Sequence, residues 1–419
     1  MRNTARLFIS LLFLLTLFAC AKDKPEPDTG GYISPEQAAG MSVVLPDVTP
    51  SHEDWGVDLK PLDLGNFTVF DKLDEYYYGG KAYLTPDGMT EETYMLTDAD
   101  SHEEKQLDYP DNFPSWSIGS GSEIVMQNRY YEWKSYTQEF GESSLHDLKL
   151  TRVDGKTGEV EIVDEMALST PFVYLCKVSE TQFLSYYMVQ MPSDKTDYAV
   201  LTVATLYEVG GDKKEIIRER YENGVDWSDS EGILLERLAV KNGEIYGFGR
   251  RRISDAYEFF LYHYSQNGEL LATEELTGFG GIIGDEQPVE LELVGDYIVF
   301  RTYESLTNYI CKKTSDGVRL IMKGESGNVL YAISDKYIIF IERNVDDNGE
   351  LKAKGCPLYI IDTQNDKIKA VKFSVPLKEA YAVNLYSLSN GDLIFVYGKG
   401  DAFDLFNREQ FLLPSNKFR

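Results

Sequence analysis

The chain has 419 residues, of which 43% are hydrophobic, including 21 Phe, 4 Trp and 29 Tyr. This composition can build a large core and excludes a disordered chain, a collagen and a coiled coil. The 41 basic and 69 acidic residues give a net charge of −28. Because a chain with this much negative charge repels phosphate backbones and anionic lipid surfaces, we expect no nucleic-acid partner.

The N-terminus has the pattern of a secretory signal peptide. Arg2 and Arg6 precede the apolar run Leu7–Ala19, and Cys20 follows directly. Basic residues, a short apolar stretch and a small residue before the cut are typical of signals that are removed after export. The apolar stretch is also too short to span a bilayer. We therefore expect residues 1–19 to be cleaved.

The sequence Leu17-Phe18-Ala19-Cys20 resembles the lipobox of bacterial lipoproteins, in which the cysteine carries the lipid and becomes the first residue. The resemblance implies lipid attachment at Cys20, export to the cell envelope, and membrane contact through the lipid alone. An ordinary cleaved signal beside an incidental cysteine is the alternative. The segment Ala21–Lys24 resembles the surface-export tag of Bacteroidota lipoproteins, but has one acidic residue after the lysine where the tag has two. In a Gram-negative source, the lipoprotein resemblance implies attachment to the outer membrane, and the partial match to the export tag leaves open whether the protein is displayed on the cell surface.

The mature chain divides into a tether and a body. Residues 20–56 are rich in Pro, Asp, Glu and Gly and are predicted to be a flexible tether. Residues 57–419 show no sustained helical period and consist of short β-rich runs separated by turns. The turns form two interleaved series. The first comprises Pro86-Asp87-Gly88, Asp154-Gly155, Gly210-Gly211-Asp212, Asn267-Gly268, Asp316-Gly317, Asn365-Asp366 and Asn407-Arg408.

The second series lies upstream of the first, and comprises Gly65-Asn66, Ser120-Gly121-Ser122, Ser179-Glu180, Asn242-Gly243, Gly295-Asp296, Ser334-Asp335 and Asn390-Gly391. Asn-Gly and Asp-Gly suit hairpin turns because both central positions need a positive φ. Each unit therefore has four strands joined by a tight turn, a longer loop and a second tight turn. Seven units of about 52 residues predict an all-β β-propeller with seven four-stranded blades, or six or eight if one unit is misassigned.

One blade carries a resemblance of its own. Leu358–Thr363, followed by Lys367-Ile368, resembles the blades of bacterial quinoprotein-like and surface-repeat propellers, and the whole chain resembles β-propeller lipoproteins of gut bacteria. The resemblance implies location and fold. We further expect Ser42–Leu45 to pair with the short last strand, Phe411–Leu413, and so to close the ring.

The three remaining cysteines are Cys176, Cys311 and Cys356. Aligning the repeats places Cys311 and Cys356 too far apart along their strands for a disulfide, and Cys176 lies in another unit. All three are interpreted as unpaired, small hydrophobic residues.

The longer connections all fall on one face of the predicted disc. Loops on a rigid scaffold are where ligands usually bind, so this face is the predicted functional one. Aromatic residues in or beside these loops suit sugars, flat ligands or protein partners. Packing between blades is the alternative for all of them. The candidates are Tyr76, Tyr78, Tyr130, Trp133, Tyr136, Trp227 and Phe279.

The only compact basic cluster is Arg250, Arg251 and Arg252. Arginine forks bind oxyanions bidentately, so this cluster could hold a uronic acid, a sulfated glycan or a ferric siderophore. Pairing with neighbouring carboxylates is the alternative.

The chain contains none of the usual catalytic motifs that we sought, and no catalytic residue, metal ligand or cofactor is assigned. Asn344–Gly349 resembles half of an EF-hand loop, but Gly355 stands where the bidentate acid belongs. The acidic loops around Asp98 to Glu104 and Asp226 to Glu231 are interpreted as solvated.

Three functions remain open. A non-catalytic lipoprotein whose propeller binds a glycan, a siderophore-like small molecule or an envelope protein is favoured. The alternative is a carbohydrate-active enzyme, a hydrolase or lyase, with its site near the propeller axis. The third is a purely structural part of an envelope complex.

Overall fold

The computed structural model describes most of the chain from residue 56 to residue 417. Residues outside the description are 1–55, 58–59, 66, 85–89, 110–115, 118–121, 136–144, 171, 197, 224–231, 254–255, 285, 287, 303–304, 306, 326–328, 335–336, 343–357, 365–366, 374–381, 399–407 and 418–419.

The described strands form seven sheets, numbered here as blades in chain order, after two short strands, β1 (Gly56–Val57) and β2 (Lys60–Leu62). Blade 1 comprises β3 (Phe67–Leu73), β4 (Tyr76–Leu84), β5 (Thr90–Asp98) and β6 (Glu104–Gln106), and blade 2 comprises β7 (Trp116–Ser117), β8 (Glu123–Met126), β9 (Arg129–Ser135), β10 (His146–Asp154) and β11 (Val160–Leu168). Blade 3 comprises β12 (Val173–Lys177), β13 (Gln182–Met191), β14 (Tyr198–Glu208) and β15 (Lys213–Asn223). Blade 4 comprises β16 (Leu235–Lys241), β17 (Glu244–Ile253), β18 (Ala256–Tyr264) and β19 (Leu270–Glu275).

Blades 5 to 7 follow the same order. Blade 5 comprises β20 (Pro288–Val294), β21 (Tyr297–Thr302), β22 (Thr307–Thr314) and β23 (Gly317–Glu325). Blade 6 comprises β24 (Val329–Ser334), β25 (Tyr337–Glu342), β26 (Leu358–Asp362) and β27 (Lys367–Phe373). Blade 7 comprises β28 (Ala382–Ser387), β29 (Leu393–Gly398) and β30 (Arg408–Leu413).

Successive strands within each blade pair antiparallel, and the first strands of neighbouring blades contact one another, as in β12 with β16 and β16 with β20. First strands are therefore innermost, around the axis, and fourth strands are outermost. The predicted all-β β-propeller class is confirmed.

Most of the predicted turns link the strands expected of them. Asn242-Gly243 joins the first two strands of blade 4, with φ of 53° and 78°, the positive pair that an Asn-Gly hairpin turn requires. The predicted turn around Asn390-Gly391 likewise joins β28 to β29. Asp154-Gly155 and Asn267-Gly268 each join a third strand to a fourth, as predicted.

Four turn assignments were wrong in register. The first hairpin turns of blades 1 and 2 lie at Asp74-Glu75 and Gln127-Asn128, and not at Gly65-Asn66 or Ser120–Ser122. The anchors Asp87 and Asn407 lie outside the described residues, at chain positions between the second and third strands of their blades and not between the third and fourth as predicted. Asp74, Gln127 and Asn128 adopt positive φ without being glycine, so the turn-residue pattern did not reveal these turns.

The ring closes through β2, which pairs antiparallel with β30 and becomes the fourth strand of blade 7. Lys60, Pro61 and Leu62 oppose Leu412, Phe411 and Gln410. The preceding strand, β1, adds in parallel to the outer edge of blade 6. The predicted closing segment, Ser42–Leu45, lies outside the described residues, and the described segment that pairs with β30 lies later in the chain.

Closure is reinforced by a buried glutamine. Gln410 on β30 accepts a hydrogen bond from the backbone of Val69 at 3.3 Å and donates one to the carbonyl of Phe67. Both of these partners lie on β3, so the last blade is tied to the first through groups that are shielded from water.

The core lies between blades, because strands in a propeller are covered on both faces. Clusters of buried aliphatic and aromatic residues join blades 2 and 3, 3 and 4, 4 and 5, and 5 and 6. Cys311 is fully buried in the cluster between blades 4 and 5, while Cys176 is half-buried, and both thiols are free. The absence of a disulfide is confirmed for these two; Cys356 lies outside the described residues.

One predicted loop contains a helix. Residues Phe279–Ile283 form a short α-helix, α1, between Gly278 and Gly284, whose φ values are 85° and 65°. Phe279 and Ile283 insert between blades 4 and 5, which explains why a turn of helix forms in a glycine-rich segment. A single 3-10 turn, Ser415–Lys417, follows β30. Within the described residues, no helix is long and apolar enough to cross a membrane.

Candidate functional site

In each blade, the first strand starts, and the second strand ends, at the face that carries the longer connections. The start of β16, the end of β17 and the start of β12 are therefore neighbours at the inner rim of this face. They carry the inner-rim cluster, which consists of Tyr174, Tyr186, Glu236, Arg237 and Arg250.

Glu236, the carboxylate of the cluster, is buried, with 4% of its surface exposed. The pairing of β16 with β17 shifts between Leu235 and Arg237, so Glu236 lies at a β-bulge, a feature that redirects a side chain. Its Oε1 lies 2.7 Å from Nε of Arg250. Burial raises the pKa of Glu236 to about 7, against the opposing effects of Arg250 and Arg237.

Arg237 lies beside this pair. Its guanidinium carbon stands 4.6 Å from the centre of the Tyr174 ring, and Nη1 donates to the carbonyl of Glu236 at 3.0 Å. The Tyr174 and Tyr186 rings stack 5.1 Å apart, so two blades fix the position of the guanidinium. Within the part of the chain that the structure describes, Arg237 forms no ion pair with a carboxylate. Arg237 was not predicted from the sequence because it is an isolated basic residue in a strand.

Tyr174, Glu236 and Arg237 of the cluster lie on first strands, which are innermost around the axis. Cys176 on β12 approaches the carbonyl of Leu238 on β16 at 3.8 Å. Glu292, on the first strand of blade 5, has an exposed side chain, yet burial raises its pKa to about 7. Glu292 therefore lies on an innermost strand in the blade next to that of Glu236. Burial, then Glu292, raises the pKa of the Cys176 thiol.

The predicted basic cluster lies toward the end of strand β17. Arg250 pairs with Glu236, and Arg251 pairs with Glu258 at 3.1 Å. These two pairs correspond to the alternative interpretation, in which the arginines neutralise neighbouring carboxylates. The backbone of Arg252 pairs with Tyr257, and its side chain lies outside the described residues.

The predicted aromatic anchors that are described lie in strands or in α1. Trp133 on β9 is fully buried between blades 2 and 3, and its Nε1 donates to Oγ of Ser185 at 2.9 Å. Phe279 on α1 is fully buried as well. Tyr136 and Trp227 lie outside the described residues.

Tyr76, Tyr78 and Tyr130 lie between blades 1 and 2. Tyr76 is half-buried, whereas Tyr78 and Tyr130 are buried with their ring centres 4.3 Å apart. The Tyr78 hydroxyl lies 2.6 Å from that of Tyr109, and the ammonium of buried Lys134 lies 5.0 Å from the Tyr109 ring centre. Bulky rings and a covered lysine in this position serve blade packing.

The acidic loop near Asp98 is a turn between the third and fourth strands of blade 1. Oδ1 of Asp98 accepts hydrogen bonds from the backbones of Asp100 and Ser101, which lower its pKa together with the Ser101 hydroxyl. Among the described residues, no three His, Cys, Asp or Glu side chains are grouped as metal ligands. The other predicted acidic loops, Asn344–Gly355 and Asp226 to Glu231, lie outside the description.

No family model matches the chain, and no curated protein matches it. Several solved structures are similar. An oligogalacturonate lyase from Vibrio parahaemolyticus has 11% identity and a TM-score of 0.46, with 86% of this chain and 92% of that chain covered. The β-propeller domain of the Trilobed protease from Pyrococcus furiosus has 12% identity and a TM-score of 0.39, covering 76% of this chain and 99% of the other.

Proposed function

We propose that the protein is an exported lipoprotein, attached to the cell envelope through a lipid on Cys20, whose propeller binds a ligand at the inner rim of its loop-bearing face. The proposed anchor is supported by the lipobox-like sequence that ends in Cys20. Its membrane contact is the lipid alone, since a chain with a net charge of −28 is repelled by anionic lipid surfaces. The partners proposed are a glycan, a siderophore-like small molecule or an envelope protein.

The observation that carries the binding role is the inner-rim cluster. Glu236 and Arg237 stand at the start of the first, innermost strand of blade 4, and Arg250 stands toward the end of the second strand beside them. Burying such charges is unfavourable unless they are paired, and Arg237 has no carboxylate partner among the described residues. Groups with strongly shifted pKa values, such as Glu236, mark functional sites more often than random positions do.

A second candidate, a carbohydrate-active enzyme, is favoured by two carboxyl groups. Glu236 and Glu292 lie on the innermost strands of neighbouring blades, and burial raises the pKa of each to about 7. A carboxylic acid that holds its proton near neutral pH can protonate a leaving group. Cleavage of a glycosidic bond usually employs two carboxyl groups.

The binding role is tested by applying the lipidated full chain in detergent to a glycan array and to a ferric siderophore titration. We expect saturable binding of one class, and no saturable binding in either experiment would contradict a small-molecule role. Each glycan that binds is then incubated with wild type and with Glu236→Gln. Release of products by wild type alone would favour the enzyme, whereas intact glycan in both would favour the binding module.

A further inference from the structure

We propose that Arg237 is the anchor for an oxyanion group, a carboxylate, sulfate or phosphate, on the ligand taken at the inner rim. This inference rests on the proposed function for its ligand, but its test does not need that ligand. It moves the anion site from Arg250–Arg252, where the sequence placed it, to a neighbouring residue on another strand.

The first observation is that Arg237 lacks the carboxylate neighbour that most of the described arginines have. The side chains of seven arginines in the described part of the chain lie within 4.0 Å of a carboxylate oxygen. These are Arg129, Arg152, Arg218, Arg220, Arg250, Arg251 and Arg319. Arg237 has no such neighbour among the described residues, although the chain has far more acidic than basic residues. Its charge is therefore available to a bound anion.

The second observation is that the guanidinium is already oriented. The Tyr174 ring supports one face of the guanidinium at 4.6 Å, and the carbonyl of Glu236 holds Nη1 at 3.0 Å. Tyr186 in turn stacks against Tyr174. A guanidinium has five N–H donors, so one bond to a carbonyl leaves the others for a ligand. Little side-chain freedom is lost when an anion binds to a group held in this way.

The third observation concerns the nearest carboxylate. Oε1 of Glu236 faces Arg250 at 2.7 Å, so this carboxylate is balanced by a different arginine. The Tyr186 hydroxyl and the Cys176 thiol in this region have raised pKa values and stay neutral at pH 7. Glu292, which acts on the Cys176 thiol from the neighbouring blade, has a pKa raised to about 7 and carries only part of a charge at pH 7. Water is partly excluded from a half-buried guanidinium, which strengthens its attraction for an anion.

The neighbouring arginines are less suited to this role. Arg250 would have to release a buried carboxylate, which would then lack a counter-ion. Arg251 is 63% exposed, pairs with Glu258 and lies over the Phe260 ring, so water and salt would screen any anion bound there. These contacts favour Arg237 as the residue that discriminates an anionic ligand from a neutral one.

The test uses sulfate, phosphate and acetate as probes, titrated at constant ionic strength into the full chain in detergent. The protein carries 15N in its arginines, and the signal of the Arg237 Nε–H group is assigned by its absence in Arg237→Gln. We expect this signal to move saturably with at least one probe. The dissociation constant, read from a signal present in every variant, should rise about tenfold or more in Arg237→Gln. The exposed control, Arg251→Gln, should bind as wild type does.

Arg237→Lys is the control for misfolding, because lysine keeps the positive charge and loses only the planar guanidinium. Arg237→Lys should therefore weaken binding less than Arg237→Gln does. Equal binding in wild type and Arg237→Gln, loss of binding in Arg251→Gln instead, or no saturable shift with any probe would overturn the inference. A glycan bound equally by wild type and Arg237→Gln would also overturn it, while leaving the proposed function intact. Failure of the proposed function would appear as saturable anion binding without any glycan, siderophore or protein ligand.

Discussion

Asp71 on the first strand of blade 1 accepts two hydrogen bonds from Ser389, which lies just after the first strand of blade 7. The backbone N–H of Ser389 lies 2.9 Å from Oδ1 of Asp71, and its hydroxyl lies 3.0 Å from the same oxygen. The two residues are 318 positions apart in sequence, so this contact exists only when the ring is closed. Burial raises the pKa of Asp71 to about 6, although these bonds and that from Lys72 oppose the shift.

The raised pKa predicts how closure responds to pH. The folded protein binds the Asp71 proton more tightly than the unfolded chain does. The stabilising contribution is therefore complete below about pH 4 and is lost as pH rises through about 6. Asp71→Asn removes this dependence. Between pH 4 and 6 its free energy of unfolding should rise relative to wild type by roughly 3 kcal/mol. Urea unfolding at several pH values measures the difference.

The control for this prediction is Asp212→Asn, a change at an exposed position in the turn between β14 and β15. Its free energy of unfolding should follow that of wild type across the same pH range. A constant difference between wild type and Asp71→Asn would show that the Asp71 carboxyl does not titrate in this range.

The architecture could be predicted from the sequence because turn chemistry is local. Asn242-Gly243 needs two positive φ angles, and Asn-Gly is the pair that supplies them most readily. Gln127-Asn128 adopts the same geometry without glycine, so the sequence analysis shifted that turn by several residues. Closure by β2 was not visible either, because a three-residue strand with a proline has too little pattern to identify its partner.

The candidate site was harder to predict because it depends on contacts between strands. Trp133 and Tyr78 suggested ligand contacts by residue type, yet the alternation of their strands places both between blades. Arg250 and Arg251 stood out as a cluster, but their partners Glu236 and Glu258 lie on neighbouring strands. Nothing local marks Arg237, whose importance follows from the absence of a carboxylate partner among the described residues.

Trp133 is expected to support folding. Replacing its buried ring with alanine leaves a cavity and removes the donor to Ser185, so Trp133→Ala should lower the free energy of unfolding by about 3–5 kcal/mol. Phe172→Ala, a control at an aromatic side chain with 55% exposure, should change it by less than about 1 kcal/mol. Urea unfolding distinguishes them, and equal small effects would mean that the Trp133 pocket is not closely packed.

The closing strand is tested by two truncated chains. A chain that begins at residue 58 loses β1 and keeps β2, whereas one that begins at residue 64 loses both. Removing β2 exposes the edge of β30, so the shorter chain should unfold several degrees lower, on the order of 5 °C or more, and aggregate. Thermal unfolding measures the difference. The same midpoint for both chains would show that β2 contributes little to closure.

The lipid anchor is tested with Cys20→Ser. Because the thiol is the proposed attachment atom, the variant should lose the lipid and move from the detergent-rich phase to the aqueous phase, or remain unprocessed. Cys311→Ser, a change at a buried thiol in the body, is the control and should keep its lipid. Partition of Cys20→Ser into detergent to the wild-type extent would contradict the proposed anchor.

Arg250 and Glu236 should behave as a coupled pair. Arg250→Met removes the counter-ion and leaves a carboxylate with 4% exposure, which should lower the free energy of unfolding at pH 8 by on the order of 3 kcal/mol. Adding Glu236→Gln removes the isolated charge, so the double variant should be more stable than Arg250→Met alone.

The stability of these variants should also depend on pH. Burial already raises the pKa of Glu236, and losing Arg250 raises it further. The defect of Arg250→Met should therefore shrink toward pH 5, where the carboxyl is protonated. Urea unfolding of the four proteins at both pH values gives the coupling, and additive effects at pH 8 would contradict a buried ion pair.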